Sequence, residues 1–324
     1  MRLVLVFSLL ILIFCVGCLK TVPEPNDKNE ESEDMPATNR SEPWIEPRFL
    51  PDGTPFLPEN TESPNTETTG TFAQALGKYA AEVVPLPPLE DLTVQIDDYM
   101  TKMGESLESL VGNPRYATDS ADIVRDANAL ALLVLAVGLA EADSKYKKPA
   151  SQIIASAQNL AAAKTLEEGQ KAYTALKASL TSTDGGKKLA WSDKVANLTP
   201  AMKALPNLSS AVKRATDTER KLNSNLDGRA PQIFGQIAAM AVITQGAIPN
   251  VAETTKPDAE EEWKKYCEEF RDAALNANAA TRHYAKERAE GKEPDYTVFD
   301  VSFKAMTTSC DDCHSVFYPK AVGR

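Results

Sequence analysis

Apolar residues recur at helical spacing through most of the chain beyond residue 88. The segment "DLTVQIDDYMTKMGESLESLVG" ends at a glycine that is soon followed by a proline, which predicts one amphipathic helix. The next, "DSADIVRDANALALLVLAVGLAEAD", begins with capping residues and is apolar on nearly every side, so we expect it to be buried. Further helices are predicted from "ASQIIASAQNLAAA" and "LEEGQKAYTALKASL". No alternating pattern of convincing strand length occurs, and the fold class is therefore predicted to be all-α.

The helical region contains an internal repeat. Residues 134–150 align with residues 242–258 at a constant offset of 108, and residues 176–187 align with residues 303–314 at an offset of 127. A longer helix or loop in the second copy accounts for the larger offset. We therefore predict two tandem helical units that each resemble a four-helix bundle. The two predicted units are residues 89–190 and 195–324.

The first 88 residues have a different pattern. The apolar run from Leu3 to Val16 is shorter than the roughly 20 residues of a membrane-spanning helix and is typical of an export signal. Its end, "CVGC", resembles the lipobox of bacterial lipoproteins, which implies a signal peptide over residues 1–17 and lipidation of Cys18. An ordinary cleaved signal and an uncleaved anchor are the alternatives. Prolines then recur among polar residues over residues 18–88, which predicts a disordered tether.

The formal net charge of the chain is −11. Phosphate binding needs a basic surface, so this charge argues against nucleic acid as a partner. An acidic surface suits solubility and a basic protein partner.

The stretch "SCDDCH" near the C-terminus places Cys310, Cys313 and His314 in a Cys-x-x-Cys-His spacing. Attachment of haem c needs two thiols, one for each vinyl group, and an axial nitrogen ligand to iron, and this spacing supplies all three. Apolar residues precede and follow the motif at steps of three and four, which puts both cysteines on the inward face of a helix. The residues of this face are Phe299, Phe303, Met306, Cys310, Cys313 and Phe317.

The chain has five cysteines, and they do not pair evenly. Cys15 would leave with the signal and Cys18 would carry lipid, which leaves Cys267 without an evident partner. An unpaired thiol is unusual in an oxidising compartment unless the other thiols are bonded to another group. The lack of a partner for Cys267 therefore indicates that Cys310 and Cys313 carry a covalent group. Cys267 lies at helical spacing from Trp263 and Phe270, so a buried structural thiol is its simpler interpretation, and a disulfide-linked dimer is the alternative.

Other interpretations of the cysteine pair are a dithiol redox centre, a structural disulfide and half of a zinc site. A thioredoxin-like pair opens a helix after a strand, and no strand is predicted before this one. A zinc site needs two more ligands, and only Cys267 and His283 remain. Covalent attachment of one haem c is therefore the interpretation that the residues favour.

The region from about residue 195 to residue 324 resembles the cytochrome c′ group, the class II c-type cytochromes. Two features carry the resemblance: the motif lies close to the C-terminus, and Phe317 is an aromatic residue three positions after the histidine. A basic residue usually follows that aromatic, whereas here Tyr318 occupies the place and Lys320 comes two residues later. The resemblance implies a four-helix bundle with the haem on its last helix, and it allows a homodimer, because family members often dimerise.

In the resembled family the distal haem residue comes from the first helix of the bundle. Met202, near the beginning of the first helix of the second unit, would then be a sixth iron ligand. Ligation by methionine raises the reduction potential of the iron. Leu208 would instead block the distal face, so Met202 ligation and a five-coordinate iron both stay open at this point. We expect Met240 in the core and His283 at the surface or at the haem edge.

In the register of the repeat, the first unit has other residues where the second has the motif. The aligned pairs are Thr183 with Cys310, Gly186 with Cys313 and Lys187 with His314. The first unit is therefore predicted to be a haemless relative of the second that keeps its helical scaffold.

The leading hypothesis is an exported monohaem c-type cytochrome that passes single electrons to a redox protein partner. Diatomic-gas binding or sensing at a five-coordinate haem is the second hypothesis, and a haem-free helical scaffold lipoprotein is the third. No nucleophile triad, phosphate loop or carboxylate pair is recognisable, so we do not expect an enzyme. The lipid on Cys18 would hold the protein at the membrane, in the periplasm or on the cell surface.

Overall fold

A computed structural model describes residues 84–183 and 186–318. The predicted signal peptide, the lipidation of Cys18 and nearly all of the predicted tether lie outside these residues, as does Lys320. The last tether residues, 84–88, are described and are not helical. Within the described residues there is no strand, and the predicted all-α fold class is confirmed.

The described part of the chain forms nine α-helices and one 3-10 helix. They are α1 (Leu89–Ser109), α2 (Tyr116–Asp119), α3 (Ala121–Leu139), α4 (Ala150–Ala162), α5 (Leu166–Ser179), α6 (Leu198–Thr216), α7 (Glu219–Gly246), the 3-10 helix (Ile248–Glu253), α8 (Glu260–Ala289) and α9 (Tyr296–Phe317). None of the described helices is long and apolar enough to span a membrane.

Several helices begin where a side chain satisfies the free backbone N–H groups of the first turn. Thr165 starts α5 with a capping box, because its side chain accepts from the Glu168 backbone N–H while the Glu168 carboxylate accepts from the Thr165 N–H. The Thr218 side chain caps α7 by accepting from the Lys221 N–H. The Asp295 carboxylate caps α9 by accepting from the Thr297 N–H at 2.8 Å. The helix that carries the candidate site therefore has a well-defined start.

The two halves of the described region have the same order of long helices. The helices α1, α3, α4 and α5 follow one another in the first half, and α6, α7, α8 and α9 follow one another in the second. In each half, helices that are consecutive in this order pack against each other. This order agrees with the repeat, although the boundaries of two separate units stay a prediction.

A single hydrophobic core runs through both halves. The helices α1 and α3 of the first half pack against α6 and α7 of the second half. One close approach requires a glycine, because a Cβ atom at Gly246 in α7 would lie 2.6 Å from a methyl carbon of Leu132 in α3. The buried helix predicted from its apolar sequence is α3, which lies at the centre of this core.

A buried polar cluster also joins the halves. Asp91 of α1 is 2% exposed, and its carboxylate accepts from Asn278 Nδ2 at 3.0 Å and from Arg282 Nη1 at 2.7 Å, both on α8. Burial raises the pKa of Asp91, and the hydrogen bond from Asn278 and the charge of Arg282 oppose this rise. The carboxylate is therefore held by paired partners, as a buried charge requires.

Candidate haem attachment site

The Cys-x-x-Cys-His motif lies in the last turns of α9, which ends at Phe317. Four of the six residues predicted to face inward are buried: Phe299, Phe303, Met306 and Phe317. The other two, Cys310 and Cys313, are half-buried and free of disulfide bonds. The predicted inward face of this helix is thus present in the structure, and the two thiols interrupt its buried surface.

The two thiols of the motif pack against different apolar clusters. Cys310 packs against the main core of the molecule. Cys313 packs against a second cluster, which we call the end cluster because it joins the start of α6 and of α8 to the end of α9. The buried members of the end cluster are Leu198, Ala247, Trp263, Cys267 and Phe317.

Phe317 fixes the last turn of α9 within the end cluster. Its ring makes edge contacts with the rings of Trp263 and Tyr266, at centroid distances of 5.1 and 6.0 Å. The Thr255 hydroxyl donates to the Phe317 carbonyl at 2.6 Å, and the Lys256 ammonium lies 5.8 Å from the Phe317 ring centroid. Aromatic contacts of this kind stabilise by about 0.5–1.5 kcal/mol beyond the burial of area. The segment that carries the motif is therefore held at its far end.

His314 is half-buried and shares one side of α9 with Tyr296. It follows Tyr296 by 18 residues, which is five full turns at 3.6 residues per turn, so the two side chains leave the helix in the same direction. At the start of the helix the Tyr296 hydroxyl donates to the Thr216 carbonyl of α6 at 2.8 Å.

The backbones of α6 and α9 make almost no close approach to each other, and α9 packs mainly along α8. The Tyr296–Thr216 hydrogen bond joins α6 to α9, and Leu198 and Met202 of α6 belong to or pack against the end cluster that contains Phe317 of α9. Two thiols and an imidazole at this sequence spacing are the groups that a covalently attached haem requires.

Burial raises the pKa of the Cys310 thiol to about 11, with a further contribution from Asp311, and raises the pKa of Cys313 to about 12. Reactive dithiol pairs have the opposite property, a lowered pKa that stabilises the thiolate. Neither thiol is thus activated as a redox dithiol would be. In the described residues no group of three or more His, Cys, Asp or Glu side chains is arranged to hold a metal ion.

The structure separates the residues that were considered as a sixth ligand. Met202 is half-buried on α6 and packs against both the main core and the end cluster. Leu208 lies two turns further along α6 and is 6% exposed, and Met240 is fully buried in α7, as expected. His283 lies on α8, where its Nε2 is 3.4 Å from Glu287. It follows the end-cluster residue Cys267 by 16 residues, about 24 Å along the helix, so it does not reach the motif.

The equivalent positions of the first half lie outside a helix. The helix α5 ends at Ser179, so Thr183, Gly186 and Lys187 follow it in a non-helical segment, and Lys187 pairs with Asp193 at 2.9 Å. The prediction that the first half keeps the helical scaffold of the motif is therefore wrong at this point. The turns of α9 that carry the motif have no helical counterpart in α5.

Sequence reasoning did not find two features of the site. One is that α9 packs mainly along α8 and makes almost no close backbone approach to α6. The other is the proximity of Cys267, which is 1% exposed in the end cluster. Burial raises the pKa of the Cys267 thiol well above its usual range, and the neighbouring Cys313 adds to this rise. The spacing of Trp263, Cys267 and Phe270 indicated a buried thiol, but it did not indicate which helix covers it.

Comparison of the chain with protein-family models, with curated proteins and with solved structures gave no match.

Proposed function

We propose that this protein is an exported, lipid-anchored monohaem c-type cytochrome that transfers single electrons, with a haem-binding half similar to the cytochrome c′ group. The observation that carries the proposal is the arrangement at the end of α9. Two half-buried thiols and a half-buried imidazole follow one another within about one turn. The first half contains neither cysteine nor histidine.

Cys310 and Cys313 would hold haem c through two thioether bonds, and His314 would be the axial ligand to its iron. When bound, the group supplies an iron that cycles between the ferric and ferrous states. The chain contributes a fixed attachment point, because the aromatic contacts of Phe317 and the hydrogen bond from Thr255 hold the last turn of α9. Apolar side chains of the main core and the end cluster exclude water from one side of both thiols.

The redox partner is proposed to be a basic protein. Asp311 and Asp312 lie within the motif itself and are exposed, and the exposed Glu269 of α8 lies near Cys313. Complementary charge raises the association rate of two proteins, and salt reduces that effect. Electron transfer to such a partner should therefore slow as the ionic strength rises.

Met202 is the residue of α6 that we propose as the sixth ligand. It is half-buried, and it packs against the end cluster that also contacts Cys313. By the antiparallel pairing of Thr216 with Tyr296, Met202 lies about level with Cys310 across from α9. Methionine ligation gives a low-spin iron with a raised potential, which suits electron transfer. A five-coordinate, high-spin iron that responds to carbon monoxide or nitric oxide would instead support gas binding.

The test is a pyridine haemochrome assay on the full chain made with c-type cytochrome maturation machinery. We expect one covalently bound haem per chain, complete loss of covalent haem in C310A/C313A, and retention in the matched control C267A. A protein that folds with the same helical content but carries no haem would support the scaffold lipoprotein instead. Ligation is read from the same sample, because M202L should convert a low-spin spectrum to a high-spin one.

A further inference from the structure

We infer that Cys267 is the disulfide partner of Cys313 in the haem-free protein, so that a bond between α8 and α9 competes with haem attachment. The cross-link itself requires only the two thiols. Its effect on haem attachment rests on the proposed function.

The first observation is that Cys267 and Cys313 belong to the same apolar cluster, whereas Cys310 packs elsewhere. Cys267 is a buried member of the end cluster, and Cys313 packs against that cluster from α9. Cys310 packs against the main core. The two motif thiols therefore have different neighbours, and only Cys313 has a third thiol in its own cluster.

The second observation concerns the alternative bond between Cys310 and Cys313. Side chains three residues apart on a helix have Cβ atoms about 5–6 Å apart. A disulfide needs a Cβ separation of about 3.5–4.5 Å. Both cysteines lie inside α9, which continues to Phe317, so a bond between them requires this part of the helix to distort.

A bond across the α8–α9 interface does not require that distortion. Packed helices lie about 8–10 Å apart, and their Cα atoms lie about 2.3 Å from each axis, so directly facing Cα atoms are about 3.4–5.4 Å apart, a range that overlaps the one a disulfide needs. Disulfides span Cα separations of about 4.4–6.8 Å. The helices α8 and α9 pack closely along each other, and Trp263 and Phe317 hold the two helices together beside the thiols.

The chemical step is the oxidation of two thiols to one disulfide. The S–H bonds of Cys267 and Cys313 are broken and one S–S bond forms, with the release of two protons and two electrons. In an export compartment a disulfide-bearing oxidant accepts them and becomes a dithiol. In the experiment diamide accepts them, because its N=N bond is reduced to a hydrazine. Cys313 is half-buried and Cys267 is not exposed, so Cys313 reacts with the oxidant first.

The experiment uses the full chain made without maturation machinery, reduced, diluted and then treated with diamide for several hours. Remaining thiols are blocked by alkylation, and the protein is digested with trypsin without reduction. Cys267 lies in the peptide "YCEEFR", whereas Cys310 and Cys313 share the peptide "AMTTSCDDCHSVFYPK". A bond from Cys267 joins two peptides, whereas a bond within the motif leaves one peptide two hydrogens lighter.

We expect the joined peptides to be the main oxidised product of the wild-type chain and of C310S. We expect at least a tenfold lower yield of joined peptides in C313S, which keeps Cys310 as the only motif thiol. Circular dichroism of each variant before oxidation checks that the fold is unchanged. A wild-type digest that contains only the bond within the motif, or equal joining in C313S, overturns the inference.

A second measurement tests the competition with haem. When the chain matures in cells with a weakened thiol-reducing pathway, C267S should retain several-fold more covalent haem than the wild type. Equal haem yields would overturn this part while leaving the cross-link in place. The peptide map is made on haem-free protein, so its outcome is independent of the haemochrome assay. A failure of the proposed function and a failure of this inference are therefore distinguishable.

Discussion

The two halves of this molecule bring their first and last long helices together in different ways. In the first half, α5 packs directly against α1: the Tyr173 hydroxyl donates to the Met100 carbonyl at 2.7 Å and lies over Gly104, which has no side chain to obstruct it. In the second half, the backbones of the corresponding helices α9 and α6 make almost no close approach to each other. A glycine and a tyrosine allow the close packing of α1 and α5 in the first half, whereas the backbones of α6 and α9 stay further apart in the second.

This difference indicates how one helical order supports two roles. In the first half, the direct packing of α5 on α1 contributes to stability and leaves no space for a bound group between these two helices. In the second half, the stability of α6 and α9 depends on what lies between them. If haem occupies the second half, the free energy of its attachment becomes part of the stability of α6 and α9, since binding to the folded state alone stabilises that state.

The largest expected effect is on backbone hydrogen exchange in the presence and absence of haem. In haem-free protein we expect the amides in the last turns of α9 to exchange at least about tenfold faster than in the haem-bound protein, because local opening is cheapest where packing is incomplete. Amides of α5 should exchange at the same rate in both forms. Hydrogen exchange with mass spectrometry measures both helices in one sample. Equal protection of α9 in the two forms would remove the contrast between the halves.

The second effect concerns the first half and uses a glycine pair. A Cβ atom added at Gly104 would lie 2.6 Å from the Tyr173 hydroxyl oxygen, whereas at Gly228 in α7 nothing lies within 4 Å. We expect G104A to lower the free energy of unfolding by about 1 kcal/mol, since overpacking costs more than the gain in helix propensity. We expect G228A to raise it by about 0.5–1 kcal/mol. Urea unfolding of both variants measures the difference. Stabilisation by G104A would show that the first half has space for the added methyl group.

The third effect is pH-dependent and concerns the start of α6. Burial raises the pKa of Glu253, but hydrogen bonds from Lys194, Leu198 and Asn250 lower it more, so the pKa lies below its usual value. Because a lowered folded-state pKa stabilises the folded protein above the unfolded pKa of about 4.3, this stabilisation is lost as the pH falls through the folded value. We expect E253Q to cost about 1–2 kcal/mol at pH 7.

That cost should shrink as the pH falls through the folded-state pKa of Glu253, because the wild-type carboxyl then becomes protonated as well. The exposed Glu105, in the last turns of α1, provides the matched control, and E105Q should change stability by less than about 0.5 kcal/mol throughout this range. Thermal unfolding between pH 3 and pH 7 measures both. If the cost of E253Q does not vary with pH, the charge of Glu253 does not stabilise the start of α6.

The smallest effect compares the two tyrosines that bond to the first helix of each half. Y173F removes the hydrogen bond to Met100, and Y296F removes the one to Thr216. Each should cost about 1 kcal/mol in haem-free protein. With haem attached, the cost of Y173F should stay the same, and Y296F should in addition shift the haem absorption spectrum, because it joins α9 to α6. An unchanged spectrum in Y296F would mean that the far ends of these helices do not influence the haem.

Much of the fold was predictable because its signals are local. The spacing of apolar residues in α1, α3, α4 and α5 predicted helices that the structure contains, with differences of a few residues at their ends. The inward face of α9 followed from steps of three and four residues around the motif, since helical geometry alone decides which side chains share a face. The burial of Cys267 was indicated in the same way.

The repeat was a weaker guide to detail. It pointed to two similar runs of helices, and the same helix order occurs in both halves. It did not predict that α5 would end before the residues aligned with the motif, because alanine-rich helices align without specifying where a helix stops. The four residues directly after Ser179 include no glycine or proline, so no local signal marks the end of α5.

By itself, the sequence determined the helical character of the chain, the inward face of α9 and the set of groups available for haem attachment, because these depend only on residue type and spacing. Only the tertiary structure decided that the backbones of α6 and α9 stand apart while α1 and α5 pack directly, and that Cys267 lies in the cluster of Cys313. Each of these depends on which helices become neighbours across more than forty residues of chain. Periodicity within one helix carries no information about its partner.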